Sequence, residues 1–326
     1  MIGEQSTIDV RALKTCFYSS RGVVRAAHDV SFNVRKGEIL GIVGESGSGK
    51  TVIALSILRL IPYPGKIVHG EVIFRGENIL AKPVSDMTKI RGAGISMIFQ
   101  DPMSCLNPVF TIGDQLTSGI VAHQRISKQE ARKKAVEMLK IVHIPDPERR
   151  ILGYPHEFSG GMKQRVMIAL ALSCNPELLI ADNPTTALDS TIQLQFLNLI
   201  LDLRKKMSMT ILYITHDFGV VAKLCDRVAI LYAGEILEMG SVYDVLIRPK
   251  HPYTQELINA TPALGMRNKQ IETIPGKQPD LAFLPRGCKF SARCKVVQRQ
   301  CSDKDIELIE TCDLKQSHKV RCINYY

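Results

Sequence analysis

The sequence predicts an α/β fold, and three observations point to it. Over residues 1–250, short apolar runs of strand length alternate with stretches whose apolar residues recur at helical spacing. The 326 residues are 45% apolar and 23% charged, an ordinary globular balance that is long enough to bury a sizeable core. The longest uninterrupted apolar run, Val166 to Leu172, is far short of the ~18 residues that span a bilayer.

Taken along the chain, strands are expected over 39–43, 95–99, 177–182, 210–215 and 227–232. Helices are expected over 50–60, 128–142, 161–172, 190–206 and 218–224. Ser127 followed by Glu130 is a capping-box pattern that starts the second of these. Residues of about 101–155 read as mainly helical and interrupt the strand series, which suggests an inserted helical subdomain. After residue 250 the character changes. HPYTQELINATPAL reads as one amphipathic helix, IETIPGKQPDLAFLPRG as an extended linker, and the remainder as a cysteine-rich tail. The expected division is therefore 1–250 and 251–326.

The N-terminus MIGEQSTIDV has no basic stretch leading into an apolar one, so the reading is a soluble, cytosolic chain without a secretory signal. Net charge is +10, which favours acidic partners such as nucleotide phosphate, nucleic acid or an anionic membrane face. The basic residues are spread over the chain and do not form one nucleic-acid patch.

GESGSGKT at Gly44–Thr51 matches the P-loop pattern G-x-x-x-x-G-K-T. It follows the apolar run ILGIV and opens the helical pattern KTVIALSILRL, the strand–loop–helix context the motif requires. Gly44, Glu45, Ser46, Gly47, Ser48 and Gly49 would wrap a phosphate with backbone N–H groups. Lys50 would reach the β- and γ-phosphates, and Thr51 would coordinate magnesium. A carboxylate at the end of a buried strand should complete the metal site. ELLIADN supplies Asp182 after four apolar residues.

A second glycine loop, FSGGMKQR, lies far from the first and opens another helical run. Ser159, Gly160 and Gly161 could there offer a hydroxyl and N–H groups to a phosphate. The segment resembles the signature loop of ABC ATPases. In that family it completes the nucleotide site of the other subunit, so the resemblance implies a head-to-tail dimer. The remaining family elements appear in order. Gln100 resembles the Q-loop glutamine, a magnesium contact. TALD with Asp189 resembles the D-loop, and His216 the switch histidine that contacts γ-phosphate. The implied fold is an ABC-type P-loop ATPase core with a RecA-like mixed sheet, an inserted helical subdomain and a small cysteine-rich extension.

IFQDPMSCLNPVFTIGDQL, YPHEFSGGMKQRVMIALAL and the tail from HPYTQEL narrow the resemblance to ATP-binding subunits of oligopeptide/dipeptide importers. GESGSGKT, GGMKQR and NPTTALDSTIQ are similar to the D-type subunit. The resemblance implies ATP and Mg2+ as ligands and a second, non-identical F-type ATPase subunit as partner. It also implies two transmembrane permease subunits, an extracytoplasmic peptide-binding protein, and a place at the cytoplasmic face of the membrane. Asp101, Pro102, Met103 and Leu106 would then face a membrane-subunit coupling helix. A soluble ABC ATPase acting on nucleic acid or ribosomes, and a nickel importer ATPase, are the alternatives.

Two positions depart from the family pattern. Asn183 stands where the family has the glutamate that polarises the attacking water. The implication is a site that binds MgATP and hydrolyses it poorly, either naturally degenerate or replaced to trap ATP. The adenine platform is also unusual. The expected aromatic falls near Arg21, with Phe17 and Tyr18 just before it, and Tyr18 is the preferred stacking residue.

Five of the nine cysteines fall between Cys288 and Cys322. The spacing of Cys288, Cys294, Cys301 and Cys322 is not the C-x2-C of common zinc sites. In the peptide-importer tail such cysteines are associated with a 4Fe–4S cluster. Zn2+ or free thiols are the other readings. Cys312 falls outside the pattern, and His318 reads as structural.

Overall fold

The computed structural model describes residues 5–101, 105–185, 190–260, 273–311 and 317–325. The chain forms two compact units, Met1–Thr7 with Val34–Gly37 and Ala81–Tyr213, and Ile8–Asn33 with Glu38–Leu80 and Ile214–Tyr326.

In the first unit, strand β6 (Ile95–Ile98) pairs in parallel with β7 (Leu178–Asp182), Ile95 opposite Leu178 and Ile98 opposite Ala181. On the other side of β7 lies β8 (Thr210–Thr215). Every residue of β7 and β8 is buried. That explains their unbroken apolar runs, because a strand covered on both faces has no polar side to alternate with. Helices Ile112–Gln124 and Lys128–Ile141 pack on each other and on helix Gly160–Leu172. Their buried stripes are Ile112, Leu116 and Ile120 on one and Ala131, Ala135 and Leu139 on the next. The expected capping box is present. Ser127 Oγ accepts from Glu130 N–H at 3.2 Å, and Glu130 Oε2 accepts from Ser127 N–H at 3.0 Å.

The second unit carries two sheets. One has the order β2-β1-β4-β5, built from Gly22–Arg35, Ser6–Ser19, Gly65–Phe74 and Glu77–Asn78. The sequence reading did not anticipate this sheet. Its long strands are half-exposed and rich in Arg, Lys, His and Thr, so they lack the continuous apolar signal of a covered strand. The other sheet is mixed. Here β3 (Ile39–Val43) runs parallel to β9 (Arg227–Tyr232), and β10 (Glu235–Ser241) turns back antiparallel to β9. The chain's C-terminal part extends this sheet. Strand β12 (Lys319–Val320) pairs with β10, and β11 (Ile309–Glu310) pairs with β12. His318 Nε2 lies 2.7 Å from Glu238 Oε1, and both side chains are buried, so His318 is a structural anchor of the tail.

Beneath the sheet lies an aromatic core. Tyr232 packs tilted against Tyr253 and edge-on to Phe290, and Tyr253 packs tilted against Phe290, with ring centroids 4.6, 5.4 and 5.3 Å apart in that order. Tyr253 belongs to helix Pro252–Asn259 and Phe290 to the cysteine-rich tail, so the C-terminal extension shares one core with β9.

Candidate nucleotide site

The P-loop leaves β3 at Val43 and enters helix Lys50–Ile57 at Gly49. Two of its glycines are fixed by sterics. A Cβ on Gly44 would lie 2.1 Å from Leu231 O, and one on Gly49 would lie 2.0 Å from Ala26 O. Gly49 also has φ 104°, in the left-handed region. Across the loop, Lys50 Nζ donates to Gly44 O at 2.8 Å, Glu45 O at 2.7 Å and Ser48 Oγ at 3.3 Å. The lysine therefore spans the loop it terminates, with the loop curled around its ammonium. Thr51 is exposed in the first turn of the helix, beside the free N–H groups that make a helix N-terminus attractive to phosphate.

Within the same unit, Tyr18 and Arg21 are exposed at the end of β1 and the turn after it. The Lys66 ammonium lies 6.0 Å from the centre of the Tyr18 ring. His216 is exposed immediately after β8. Asp217 next to it caps helix Phe218–Leu224, accepting from Gly219 N–H at 2.7 Å and Val220 N–H at 3.3 Å.

In the other unit, Asp182 ends β7 with 2% of its surface exposed. Asn183 follows at φ 45°, a left-handed conformation that asparagine tolerates better than most residues. Gln164 of helix Gly160–Leu172 is buried and its amide donates to Pro184 O, which ties the loop after Asp182 to that helix. Ser159 caps the same helix, accepting from Met162 N–H at 3.3 Å. Gly160 is exposed, and among the described residues a Cβ there would meet nothing within 4 Å. Gln100 is exposed after β6. Leu106 is buried at 4%, so it is not open to a coupling helix as expected. The apolar surface nearby is offered by Val109 and Phe110, 72% and 51% exposed. Pro102, Met103, Asp189 and Cys312 lie outside the described residues.

The tail brings Cys288, Cys294, Cys301 and Cys322 to the wall of one small cavity, with His251, Ser291 and Ile306. Burial pushes the thiol of Cys288 up to about 12, and the neighbouring cysteines add to the shift. The Cys294 and Cys322 thiols are raised for the same reasons. Thiolates gathered there need a cation to be stable. Among the described residues, no group of three or more His, Cys, Asp or Glu side chains is arranged to hold a metal ion.

The ABC transporter family model matches residues 27–186, and the model of the oligopeptide/dipeptide transporter C-terminal region matches 237–301. A probable peptide ABC transporter ATP-binding protein, y4tR of Sinorhizobium fredii, is 51% identical over 97% of this chain and 94% of its own length. The dipeptide transport ATP-binding protein DppD of Bacillus subtilis is 47% identical over 89% of this chain and 87% of its own. The chain belongs to the oligopeptide/dipeptide-type ABC transporter ATP-binding proteins. The fold agrees. The ATP-binding cassette MJ0796, solved as a dimer with ADP and Pi, superposes with TM-score 0.65 at 30% identity, over 72% of this chain and 98% of that one.

ATP and Mg2+ are the ligands that fit an ABC ATPase, and the P-loop has the chemistry for both. Among its described residues no helix is long and apolar enough to cross a membrane. Arg293 and Tyr253 were not legible as site residues in the sequence. Arg293 NH1 lies 3.1 and 3.2 Å from the two carboxylate oxygens of Glu45, 248 residues away in sequence. Glu45 N–H donates to Tyr253 Oη at 3.2 Å. Neither residue type nor spacing signals such a contact. It arises because the extension folds back under β9.

Proposed function

We propose that this chain is the ATP-binding subunit that energises import of di- or oligopeptides through a membrane ABC transporter. The observation that carries the reading is end-to-end similarity to peptide-transport ATP-binding proteins, with the P-loop and the peptide-transporter C-terminal region in one chain. In this reading the subunit sits peripherally at the cytoplasmic face. It pairs with a second, non-identical ATPase subunit and two permease subunits, and a peptide-binding protein delivers substrate on the far side. Val109 and Phe110 are an apolar surface available to the permeases. Nucleic acid is not an expected partner.

The site residues take these roles. Lys50 and the N–H groups of Gly44, Glu45, Ser46, Gly47, Ser48 and Gly49 hold the triphosphate. Thr51, Gln100 and Asp182 hold magnesium. His216 contacts the γ-phosphate, and Tyr18 with Arg21 forms the adenine platform. Ser159, Gly160 and Gly161 serve the partner's nucleotide, and the open space above Gly160 among the described residues supports this, because they do not require glycine there. Asn183 offers an amide where a carboxylate would polarise water, so this chain's own site holds ATP and hydrolyses it poorly. The competent site is the one made from the partner's P-loop and this chain's signature loop.

The tail cysteines are the ligand set of a 4Fe–4S cluster in this reading. Their shared cavity supports it. Zn2+ held by the same thiols is the alternative. A cluster supplies several irons, each with its own thiolate.

The test is ATP turnover by the assembled transporter with and without peptide-loaded binding protein. Stimulation of at least several-fold is expected. A turnover indifferent to peptide and raised by nucleic acid or nickel would overturn the reading.

A further inference from the structure

The phosphate-binding loop carries a carboxylate of its own. Glu45 is the second residue of GESGSGKT, and a negative charge beside a triphosphate opposes binding. The structure gives that charge a dedicated partner from the far end of the chain. The Arg293 side chain is 6% exposed, and its NH1 reaches both Glu45 oxygens, at 3.1 and 3.2 Å. The guanidinium is itself held from every side. It donates to Tyr232 Oη at 3.2 Å, to Pro275 O at 2.8 Å and to Ile274 O at 3.4 Å. It also lies 5.8 and 5.9 Å from the ring centres of Tyr232 and Phe290.

Two further contacts join the extension to the same loop. Tyr253 Oη takes the Glu45 N–H, so both the backbone and the side chain of Glu45 are fixed by residues after 250. The side chain of Gln278 lies beside Gly47, with Oε1 3.7 Å from where a Cβ would be. Arg293 closes the short turn Ser291–Arg293, directly before Cys294 and five residues after Cys288. The cysteine-lined segment is thereby the mount for an arginine that ends on the P-loop.

We infer that Arg293 is a positioning residue for ATP. It neutralises Glu45 and holds the P-loop in its phosphate-accepting shape, making the C-terminal extension part of the nucleotide site of its own chain. The inference rests on ATP binding at the P-loop and is independent of which substrate is transported. Its action is on nucleotide affinity, because Arg293 reaches the loop only through Glu45.

The test is MgATP titration of the full-length chain, purified as wild type, Arg293→Ala, Arg293→Lys, Glu45→Gln and the double variant Arg293→Ala/Glu45→Gln. Arg293→Ala is expected to raise Kd roughly tenfold, since it leaves the Glu45 charge uncompensated beside the phosphates. Arg293→Lys should fall between, keeping the charge and losing the fork. The double variant should return to within about threefold of Glu45→Gln alone, because no charge is then left unpaired. A general loosening of the tail would not be rescued in this way, so failure of the rescue overturns the inference. An unchanged Kd for Arg293→Ala overturns it as well. Failure of the wild-type chain to bind MgATP would overturn the ATP reading itself, and this inference with it.

Discussion

Asn183 Nδ2 donates to Asp182 Oδ1 at 3.3 Å, so the Asn183 side chain is turned to the buried carboxylate at the end of β7, the one proposed to hold magnesium. An amide cannot take a proton from water. With the partner's own P-loop disabled so that only this chain's site can turn over, Asn183→Glu is predicted to raise ATP hydrolysis by 10²-fold or more, within the ~10²–10⁴-fold range of general-base catalysis. The same change should lower stability by roughly 1 kcal/mol, because glutamate tolerates the left-handed backbone at 183 less well than asparagine. Steady-state ATPase and thermal melts of the two forms check both parts.

The glycines of the two phosphate loops should behave in opposite ways. Gly49→Ala forces a Cβ to 2.0 Å from a backbone oxygen at φ 104°, so it should weaken MgATP binding more than tenfold and lower the melting temperature. Gly160→Ala meets open space among the described residues, at the first position of a helix. It should stabilise the chain by up to about 1 kcal/mol and leave its own MgATP affinity within twofold. Turnover of the assembled transporter should nonetheless fall at least tenfold, because in the proposed head-to-tail pairing the added methyl would face the partner's nucleotide. Titration of the isolated chain beside ATPase of the complex separates the two.

The proposed iron–sulfur cluster predicts a visible cofactor. Anaerobically purified protein should contain about four iron and four sulfide per chain and absorb broadly in the visible range. Cys301→Ser or Cys322→Ser should abolish both, while Cys105→Ser, at an exposed position in the other unit, should leave them unchanged. Iron analysis with absorption spectra decides, and colourless, iron-free wild type would contradict the assignment.

The capping box of helix Lys128–Ile141 gives a pH signature. Ser127 Oγ and N–H hold the Glu130 carboxyl below its ordinary value of 4.5. A lowered folded value means the folded state favours the carboxylate. The contribution is therefore complete above about 4.5 and is lost as pH falls through the folded value. Ser127→Ala should cost about 1 kcal/mol near neutral pH. The gap between the melting curves of wild type and variant should narrow as pH falls below 4.5 and through the lowered folded value.

The sequence and the structure agree most closely where the physics is local or the strand is fully covered. The strands at 210–215 and 227–232, helix Phe218–Leu224 and the Ser127 cap stand where their residues suggested. The P-loop was legible because its glycines answer to contacts a short motif encodes. Helix Lys50–Ile57 stops short of the expected 60, since Arg59 adopts φ 53° ahead of two prolines. The half-exposed strands β1, β2 and β4 were missed because their outward faces carry charged and polar residues, so they lack the continuous apolar run of a covered strand. Arg293 was missed for a different reason. Its meaning depends on a partner 248 residues away, and only the fold of the extension under β9 brings the two together.

Uptake of labelled peptide into proteoliposomes containing the whole transporter, with ATP on the side of this subunit, tests the account most directly. The wild-type chain should support ATP-dependent accumulation of di- or oligopeptide. Lys50→Ala, which removes the ammonium that spans Gly44, Glu45 and Ser48, should reduce it to the level seen without ATP. Accumulation undiminished by Lys50→Ala, or no ATP-dependent peptide uptake by the wild type, would contradict it.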